Sequence, residues 1–428
     1  MRNNDGVTHV IDDLQWRDLI ALSTDLDALR AELARGPMTL YCGFDPTAPS
    51  LHFGHLTQIL TVRRLQLAGN RPLGLVGGAT GLIGDPRETS ERQLHPRETV
   101  AAWVERIRAQ VEPLLDFTGE YAARMVNNLD WTAELSALDF LRDIGKHFRV
   151  NKMIAKDAVS ARLNSDAGIS YTEFSYQILQ GLDYLELFRR YGCRLQTGGS
   201  DQWGNLTAGT DLIHRMEGES VHLLATPLVV DANGQKIGKS TGGGNVWLDP
   251  EMTSPYAFYQ YLINIEDASV GMFLRRFTFL DREEIMALEK ETAERPSARA
   301  AQRRLAEEVT RLVHGETETR QAIDASQALF GRGDLSSLNA GTLRAALSEA
   351  GLGQVPALGT VAELFRTSGL SSSLGDARRT IAEGGAYINN QRVADGDAVV
   401  ERSELLHGRW LVLRRGKRTV AGLELAAE

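Results

Sequence analysis

Two short clusters of reactive side chains stand out in the chain. The first is Tyr41-Cys42-Gly43-Phe44-Asp45-Pro46-Thr47, followed closely by Leu51-His52-Phe53-Gly54-His55-Leu56. The second is Lys236-Ile237-Gly238-Lys239-Ser240, preceded by a turn at Asp231-Ala232-Asn233-Gly234 and followed by glycines at 242–244. Imidazoles can donate to phosphate oxygens, and two lysines on a glycine-flanked loop can swing onto a polyphosphate. Each cluster alone has a plainer reading. Two histidines three residues apart more often cap a helix, no Cys, Asp or Glu in that helix turn completes a metal-ligand set, and a lysine-bearing turn is usually a solvated one. Together in one chain they point to polyphosphate chemistry.

The surrounding residues must place these groups. Met38 to Phe44 is a short apolar run, and Pro46 and Pro49 forbid its continuation, so a strand ends near Asp45. Leu56, Ile59, Leu60 and Leu67 then fall on one helical face, with Gly69-Asn70 as a left-handed stop. His52, Gly54 and His55 therefore sit at a helix N-terminus, where unpaired N–H groups and the helix dipole favour phosphate. The absent side chain of Gly54 lets a flat ring lie on the backbone. Residues 71–78 read as a second strand entering the glycine turn 79–86, and Met125 to Leu129 as a third between helices at 97–116 and 132–148. Ser170-Tyr171-Thr172-Glu173 starts a helix on which Tyr176, Gln180 and Asp183 share a face. Phe174, Ile178, Leu182 and Leu185 make that helix largely apolar, so it is buried, and a buried carboxylate needs a partner. Cys193 to Thr197 and Val221 to Val230 are further strands, the former running into Gly198-Gly199-Ser200-Asp201-Gln202. The alternation predicts a doubly wound, parallel α/β nucleotide-binding domain with ligands at the carboxyl ends of its strands.

With 428 residues, 43% hydrophobic and 24% charged, the chain has room for two or three domains. The Rossmann-like domain is placed at 1–247, a helical domain at 248–350, and a linker followed by a small α+β module at 351–428. The linker is read from the glycines and Pro356 between Gly351 and Thr360. Two cysteines far apart in sequence suit a reducing compartment, and no stretch has the length of a membrane span or the character of a targeting peptide, so a cytoplasmic location is expected. The net charge of −9 argues against indiscriminate nucleic-acid binding. From Gly351 onward, ten Lys or Arg stand against nine Asp or Glu, a local charge of +1 where the remainder carries −10.

The histidine helix resembles the His-Ile-Gly-His signature of class I aminoacyl-tRNA synthetases, with Phe53 for Ile, and the lysine loop resembles their Lys-Met-Ser-Lys-Ser signature. The set Tyr-x-Gly-Phe-Asp-Pro-Thr, Tyr-x-x-x-Gln-x-x-Asp and Gly-Gly-Ser-Asp-Gln-Trp-Gly-Asn is similar to that of the bacterial tyrosyl-tRNA synthetase family, from about Thr39 to Val400. The resemblance implies attack of an amino-acid carboxylate on the α-phosphorus of ATP, which is a substrate accompanied by Mg2+ on its phosphates, with no metal held by the protein and no organic cofactor. It assigns His52, Thr47, Lys236 and Lys239 to the building phosphate charge, and His55 and Gly54 to the nucleoside. Gly43, Asp45, Asp201 and Lys239 complete the ATP site. Tyr41 and Asp183 would bracket the phenolic hydroxyl of L-tyrosine, with Tyr176, Gln180 and Asp85 at the α-ammonium and Gln202 at the substrate end. The final module, with Ala377-Arg378-Arg379 and Tyr387-Ile388-Asn389-Asn390, resembles the S4-type RNA-binding fold. There Arg378, Arg379, Arg414 and Arg415, with Lys417 and Arg418, are the expected phosphate contacts. The implied partners are tRNA(Tyr) and a second copy of the chain in a homodimer. Within Arg87 to His95 the chain offers Arg87 and Arg92 where the family carries lysines.

Overall fold

The computed structural model describes residues 9–86, 93–166, 168–230 and 245–426. Lys236 and Lys239, and Arg87 through Arg92, lie outside the described residues. The chain divides into two compact units, Met1–Asp249 with Asp267–Lys290, and Pro250–Glu266 with Glu291–Glu428.

The first unit is built on six strands: β1 (Leu22–Ser23), β2 (Thr39–Phe44), β3 (Arg71–Val76), β4 (Arg124–Asn127), β5 (Cys193–Gly199) and β6 (His222–Thr226). Their order is β1-β6-β5-β2-β3-β4, parallel throughout except for β1 against β6. β3 and β6 are buried along almost their whole length, as strands covered on both faces must be. The chain winds outward from β2 to β3 and β4, then returns to the other side of β2 for β5 and β6, so the order reverses between β2 and β5. Crevices open at such reversals because neighbouring crossover connections leave on opposite faces. The doubly wound parallel sheet expected from the alternation is the observed one.

Local chemistry explains the element ends. Ser170 accepts from Glu173 N–H and starts the helix Tyr171–Tyr191, which closes on left-handed Gly192. The helix Arg97–Val111 gives way to a 3-10 turn at Glu112–Leu114, where Pro113 lacks an N–H. β6 stops before Pro227, shorter than the stretch to Val230 expected from hydropathy. The predicted helix over 132–148 is instead a chain of short turns: Leu129–Thr132, Ala137–Asp139, a five-residue π-helical turn at Phe140–Ile144 and a 3-10 turn at Gly145–His147.

The helical stretch after Trp247 is divided between the units. Asp267–Phe277 belongs to the first, where Phe273 and Phe277 pack on Phe53 of the histidine helix at centroid distances of 5.8 and 4.5 Å. The second unit holds Pro255–Ile263, Ala300–Ala328 with a kink at Gly315, and Ala340–Ala350. It also holds a five-stranded sheet of β7 (Leu352–Val355), β8 (Ala386–Ile388), β9 (Gln391–Arg392), β10 (Trp410–Arg415) and β11 (Thr419–Leu425), in the order β7-β11-β10-β8-β9. β7 corrects the sequence reading of 351–360 as a linker: Leu352 to Val355 pairs in parallel with Gly422 to Leu425. Among the described residues no helix is long and apolar enough to cross a membrane.

Candidate active site

A cavity of about 720 Å3 opens at the carboxyl ends of β2, β5 and β6. Tyr41, Gly43, Asp45, Thr47, His52, Gly54, His55, Asp85, Tyr176, Gln180, Asp183, Asp201 and Gln202 all line it. The structure thus brings together residues that the sequence spreads over some 160 positions.

At the start of the histidine helix (Phe53–Leu67) each imidazole caps the backbone. His52 Nδ1 accepts from Gly54 N–H at 3.1 Å, and His55 Nδ1 accepts from His52 N–H at 3.1 Å. An accepting Nδ1 on His55 leaves its ring proton on Nε2, where it can serve as a donor. Burial, reinforced by the like charge of His52, pushes the His55 pKa down to about 3, so this ring is neutral at physiological pH. A Cβ on Gly54 would lie 2.9 Å from His52 Cε1, so only glycine leaves the capping ring in place. In His55, capping and donation use different nitrogens of the same ring. The segment after the lysine cluster returns to this helix start: Phe53 N–H donates to Val246 O at 2.7 Å, and Leu248 N–H to Leu51 O at 2.9 Å. Val229 and Asn245, which bracket that cluster, both line the cavity.

Deeper in the cavity the carboxylates are held from several elements. Asp45 Oδ1 accepts from Thr80 and Oδ2 from the Tyr176 hydroxyl, each at 2.6 Å. A Cβ on Gly77 would lie within 2.4 Å of both Asp45 Oδ1 and Thr80 Oγ1, so a glycine there makes room for the contact. Asp85 accepts from Asn205 at 2.9 Å and from Gln202 at 3.3 Å. Asp183 is buried, with Oδ1 bonded to Trp131 Nε1–H and Oδ2 to Asn128 Nδ2–H, both at 2.9 Å. Burial nevertheless pushes its pKa up to about 8 against those two donors. Tyr41 stands beside it in the wall, and burial together with the Asp183 charge raises its hydroxyl well above the usual phenol range. Among the described residues the buried Tyr41 hydroxyl, Gln180 Oε1 and Gln196 Oε1 find no hydrogen-bond partner. Gln196 is in register with Tyr41 on the neighbouring strand.

Asn128, Trp131, Thr80, Asn205 and Gln196 were not picked out by sequence reasoning. Asn128 follows the carboxyl end of β4, where ligand-facing residues gather in such sheets, and that position was the available signal. Lys156 is a further one: its buried ammonium has no hydrogen-bond partner, and burial pushes its pKa down to about 8 against the pull of Asp85 and Asp211.

The four arginines expected at RNA phosphates are in the second unit. Arg378 pairs with Asp397 at 2.7 Å, Arg379 with Asp376 at 2.9 Å, and Arg415 with Asp376 at 2.9 Å and with Leu370 O at 2.7 Å. Arg414 differs from the other three. It is buried, lies 4.0 Å from the Tyr387 ring centroid and donates to Gly416 O, so its guanidinium serves packing and does not face solvent.

The fold and the pocket define a doubly wound α/β protein with a donor-rich helix start beside a buried, carboxylate-bearing subsite. The chain belongs to the class I tRNA synthetases (W and Y), whose family profile matches residues 33–331. Residues 356–421 match the Tyrosine--tRNA ligase SYY-like C-terminal domain. The chain is 66% identical over 420 residues to the Tyrosine--tRNA ligase of Streptomyces avermitilis, covering 98% of this chain and 99% of the relative. It is 60% identical over 421 residues to that of Nocardia farcinica, with 97% and 98% coverage. Among solved structures it is similar to a C-terminally truncated mitochondrial tyrosyl-tRNA synthetase of Coccidioides posadasii, at TM-score 0.65 and 31% identity, covering 74% of this chain and 91% of the other.

Proposed function

We propose that the chain is a tyrosine–tRNA ligase, an aminoacyl-tRNA synthetase that forms tyrosyl-AMP and pyrophosphate from L-tyrosine and ATP and then transfers tyrosine to the 3' end of tRNA(Tyr). The observation that carries the choice of amino acid is the buried pair of Asp183, whose two oxygens are steadied by Asn128 and Trp131, and Tyr41, whose hydroxyl has no hydrogen-bond partner among the described residues. A phenol both donates and accepts, so it can give its proton to Asp183 and receive one from Tyr41. An indole N–H only donates and would leave the Tyr41 hydroxyl unanswered, which favours tyrosine over tryptophan within the family.

Neither reactant needs a protein nucleophile, so the chain contributes orientation and charge neutralisation. His52 and Thr47 are assigned to the phosphates at the helix start, and Lys236 and Lys239 to the leaving pyrophosphate. Gly54 and His55 are assigned to the nucleoside, with Gly43, Asp45 and Asp201 beside them. The α-ammonium is given to Tyr176, Gln180 and Asp85, and Gln202 to the substrate end. Among the described residues no three His, Cys, Asp or Glu side chains converge as metal ligands, so Mg2+ is proposed to be held by the triphosphate oxygens. The part from 351 onward is proposed as the RNA-binding module, with 1–247 and 248–350 as catalytic and helical domains.

A homodimer is proposed as well. Leu138, Leu141, Val150, Ile154, Leu163 and Tyr171 are large apolar side chains left exposed within one stretch of the first unit, which fits burial against a second copy. Cytoplasmic location is proposed from the two buried free thiols. Exchange of labelled pyrophosphate into ATP with each of the twenty amino acids tests the activity: tyrosine alone is expected to support it.

A further inference from the structure

The helix Tyr171–Tyr191 carries Tyr176, Gln180 and Asp183, and Glu173 precedes them on the same face, three, seven and ten residues earlier. Glu173 is buried and paired with Arg162 at 2.9 Å, the two side chains being 2% and 1% exposed. Arg162 comes from the preceding helix, Asp157–Leu163, and its Nε donates to Gly168 O at 2.8 Å. One guanidinium therefore joins the end of one helix, the connecting loop and the first turn of the next.

We propose that the Arg162–Glu173 pair positions the amino-acid subsite, holding the N-terminal half of the Tyr171–Tyr191 helix and through it the placement of Tyr176 and Gln180. The inference rests on the reading of that subsite as the place of the tyrosine α-ammonium. Among the described residues Gln180 Oε1 has no hydrogen-bond partner, so the placement of that oxygen follows the helix that bears it. The C-terminal half of the helix is anchored at Asp183 and by the Tyr184 hydroxyl, which donates to His222 O at 2.9 Å, whereas nearer the start the attachment of Tyr176 is its hydrogen bond of 2.6 Å to Asp45. The ion pair supplies the second attachment, one turn away. Asp183, two turns further on, has its own supports in Asn128 and Trp131 and does not depend on that attachment. A buried ion pair is worth little more to stability than apolar side chains of the same volume, so its presence here is better explained by the geometry it imposes than by the stability it adds.

Both residues are positioning residues, and the test separates position from stability. In Glu173→Gln and Arg162→Lys, the KM for tyrosine in pyrophosphate exchange is expected to rise about tenfold, with the KM for ATP and the preference for tyrosine over phenylalanine within about twofold of wild type. A single variant that strands a buried charge can fail to fold, so the double variant Arg162→Met with Glu173→Leu is made in parallel. It removes both charges and is expected to fold, yet to show the same rise in tyrosine KM per active site, counted by titration of bound adenylate. A folded double variant with wild-type tyrosine KM overturns the proposal, as does an equal rise in the KM values for tyrosine and ATP. Wild-type protein that exchanges pyrophosphate with a different amino acid would instead overturn the underlying reading.

Discussion

Around the cavity of the first unit, the Tyr41 and Thr57 hydroxyls and the carbonyl oxygens of Gln58, Gln180 and Gln196 are buried with no hydrogen-bond partner among the described residues. In the second unit, the arginines that could meet phosphate are already engaged: Arg415 and Arg379 with Asp376, Arg378 with Asp397, Arg414 with Tyr387 and Gly416. An unmatched buried polar group costs a fold about 1–3 kcal/mol, so five in the lining of one cavity mark a place where a ligand completes the bonding. An arginine already in an ion pair must give up that bond to grip phosphate. The second unit has unmatched buried atoms of its own, among them Ser371 Oγ and Trp410 Nε1, but its candidate phosphate-binding arginines already hold protein partners where the cavity groups of the first hold none, so substitutions in the two sets should fail in different ways.

The largest expected effect is at Asp183. Asp183→Ala removes the acceptor of two buried donors, Trp131 Nε1–H and Asn128 Nδ2–H, together with the proposed acceptor for the substrate hydroxyl. Tyrosine-dependent pyrophosphate exchange is expected to lose roughly 100-fold in kcat/KM, equivalent to about 3 kcal/mol, with discrimination against phenylalanine collapsing alongside it. Retained discrimination would break the assignment of the first region as the specificity site.

The two regions should also respond oppositely to pH. Asp183 has a folded pKa pushed up to about 8, so between about pH 4 and 8 the folded protein holds a proton that the unfolded chain has released. Its stabilising contribution is complete below the unfolded pKa and is lost as pH rises through about 8, at up to about 1.4 kcal/mol per pH unit. Asp376 lies the other way. Arg415 first, then the Ser372 N–H and Arg379, hold its pKa down to about 2, so its contribution is present at neutral pH and lost as acid is added from about pH 4 toward 2. Urea unfolding of ligand-free wild type and Asp183→Asn from pH 6 to 9 checks the first: the wild-type slope should vanish in the variant. Asp376→Asn should flatten the acid limb alone.

A smaller effect contrasts hydroxyl with guanidinium. Tyr41→Phe removes a polar atom the fold does not use, so stability should hold or rise while tyrosine binding weakens by about 1 kcal/mol, roughly fivefold in KM. Arg415→Ala should show the reverse, a lowered melting temperature with unchanged constants for tyrosine and ATP, because Leu370 O and Asp376 lose their donor. Calorimetry and exchange kinetics on both variants decide it.

Much of the first region was legible in sequence because its signals are local. Pro46 ends β2, Ser170 starts the central helix, and a three- and four-residue spacing puts Tyr176, Gln180 and Asp183 on one face. What could not be read depends on contacts across the fold. Asn128 and Trp131 support Asp183 from more than fifty positions away, and nothing in Asn-Leu-Asp-Trp announces it. Leu352 to Val355 has glycines on either side and a proline just after, the composition of a linker, and becomes a strand only because β11 presents an edge for parallel pairing. Arg414 opens the Arg-Arg pair that ends the apolar run of β10, which reads as a basic surface, whereas Tyr387 on the neighbouring strand covers it.

The smallest expected effect concerns that covered arginine and its exposed neighbours. Lys417 and Arg418 are exposed at the turn between β10 and β11, and Arg414 is buried. Each cation that neutralises a phosphate releases counterions, so its removal should lower the slope of log affinity against log salt by about one. If the module grips RNA through its free cations, Lys417→Gln with Arg418→Gln should reduce that slope by about two for the binding of tRNA. Arg414→Gln should leave it unchanged, whatever it does to the melting temperature, because a guanidinium stacked on Tyr387 and bonded to Gly416 O releases no counterion when RNA binds. Filter binding across a salt series, with far-ultraviolet dichroism as the folding control, separates these outcomes. A slope that falls for Arg414→Gln and not for the exposed pair would mean that Arg414 leaves Tyr387 to meet RNA, and the second region would then prove as unfinished without its ligand as the first.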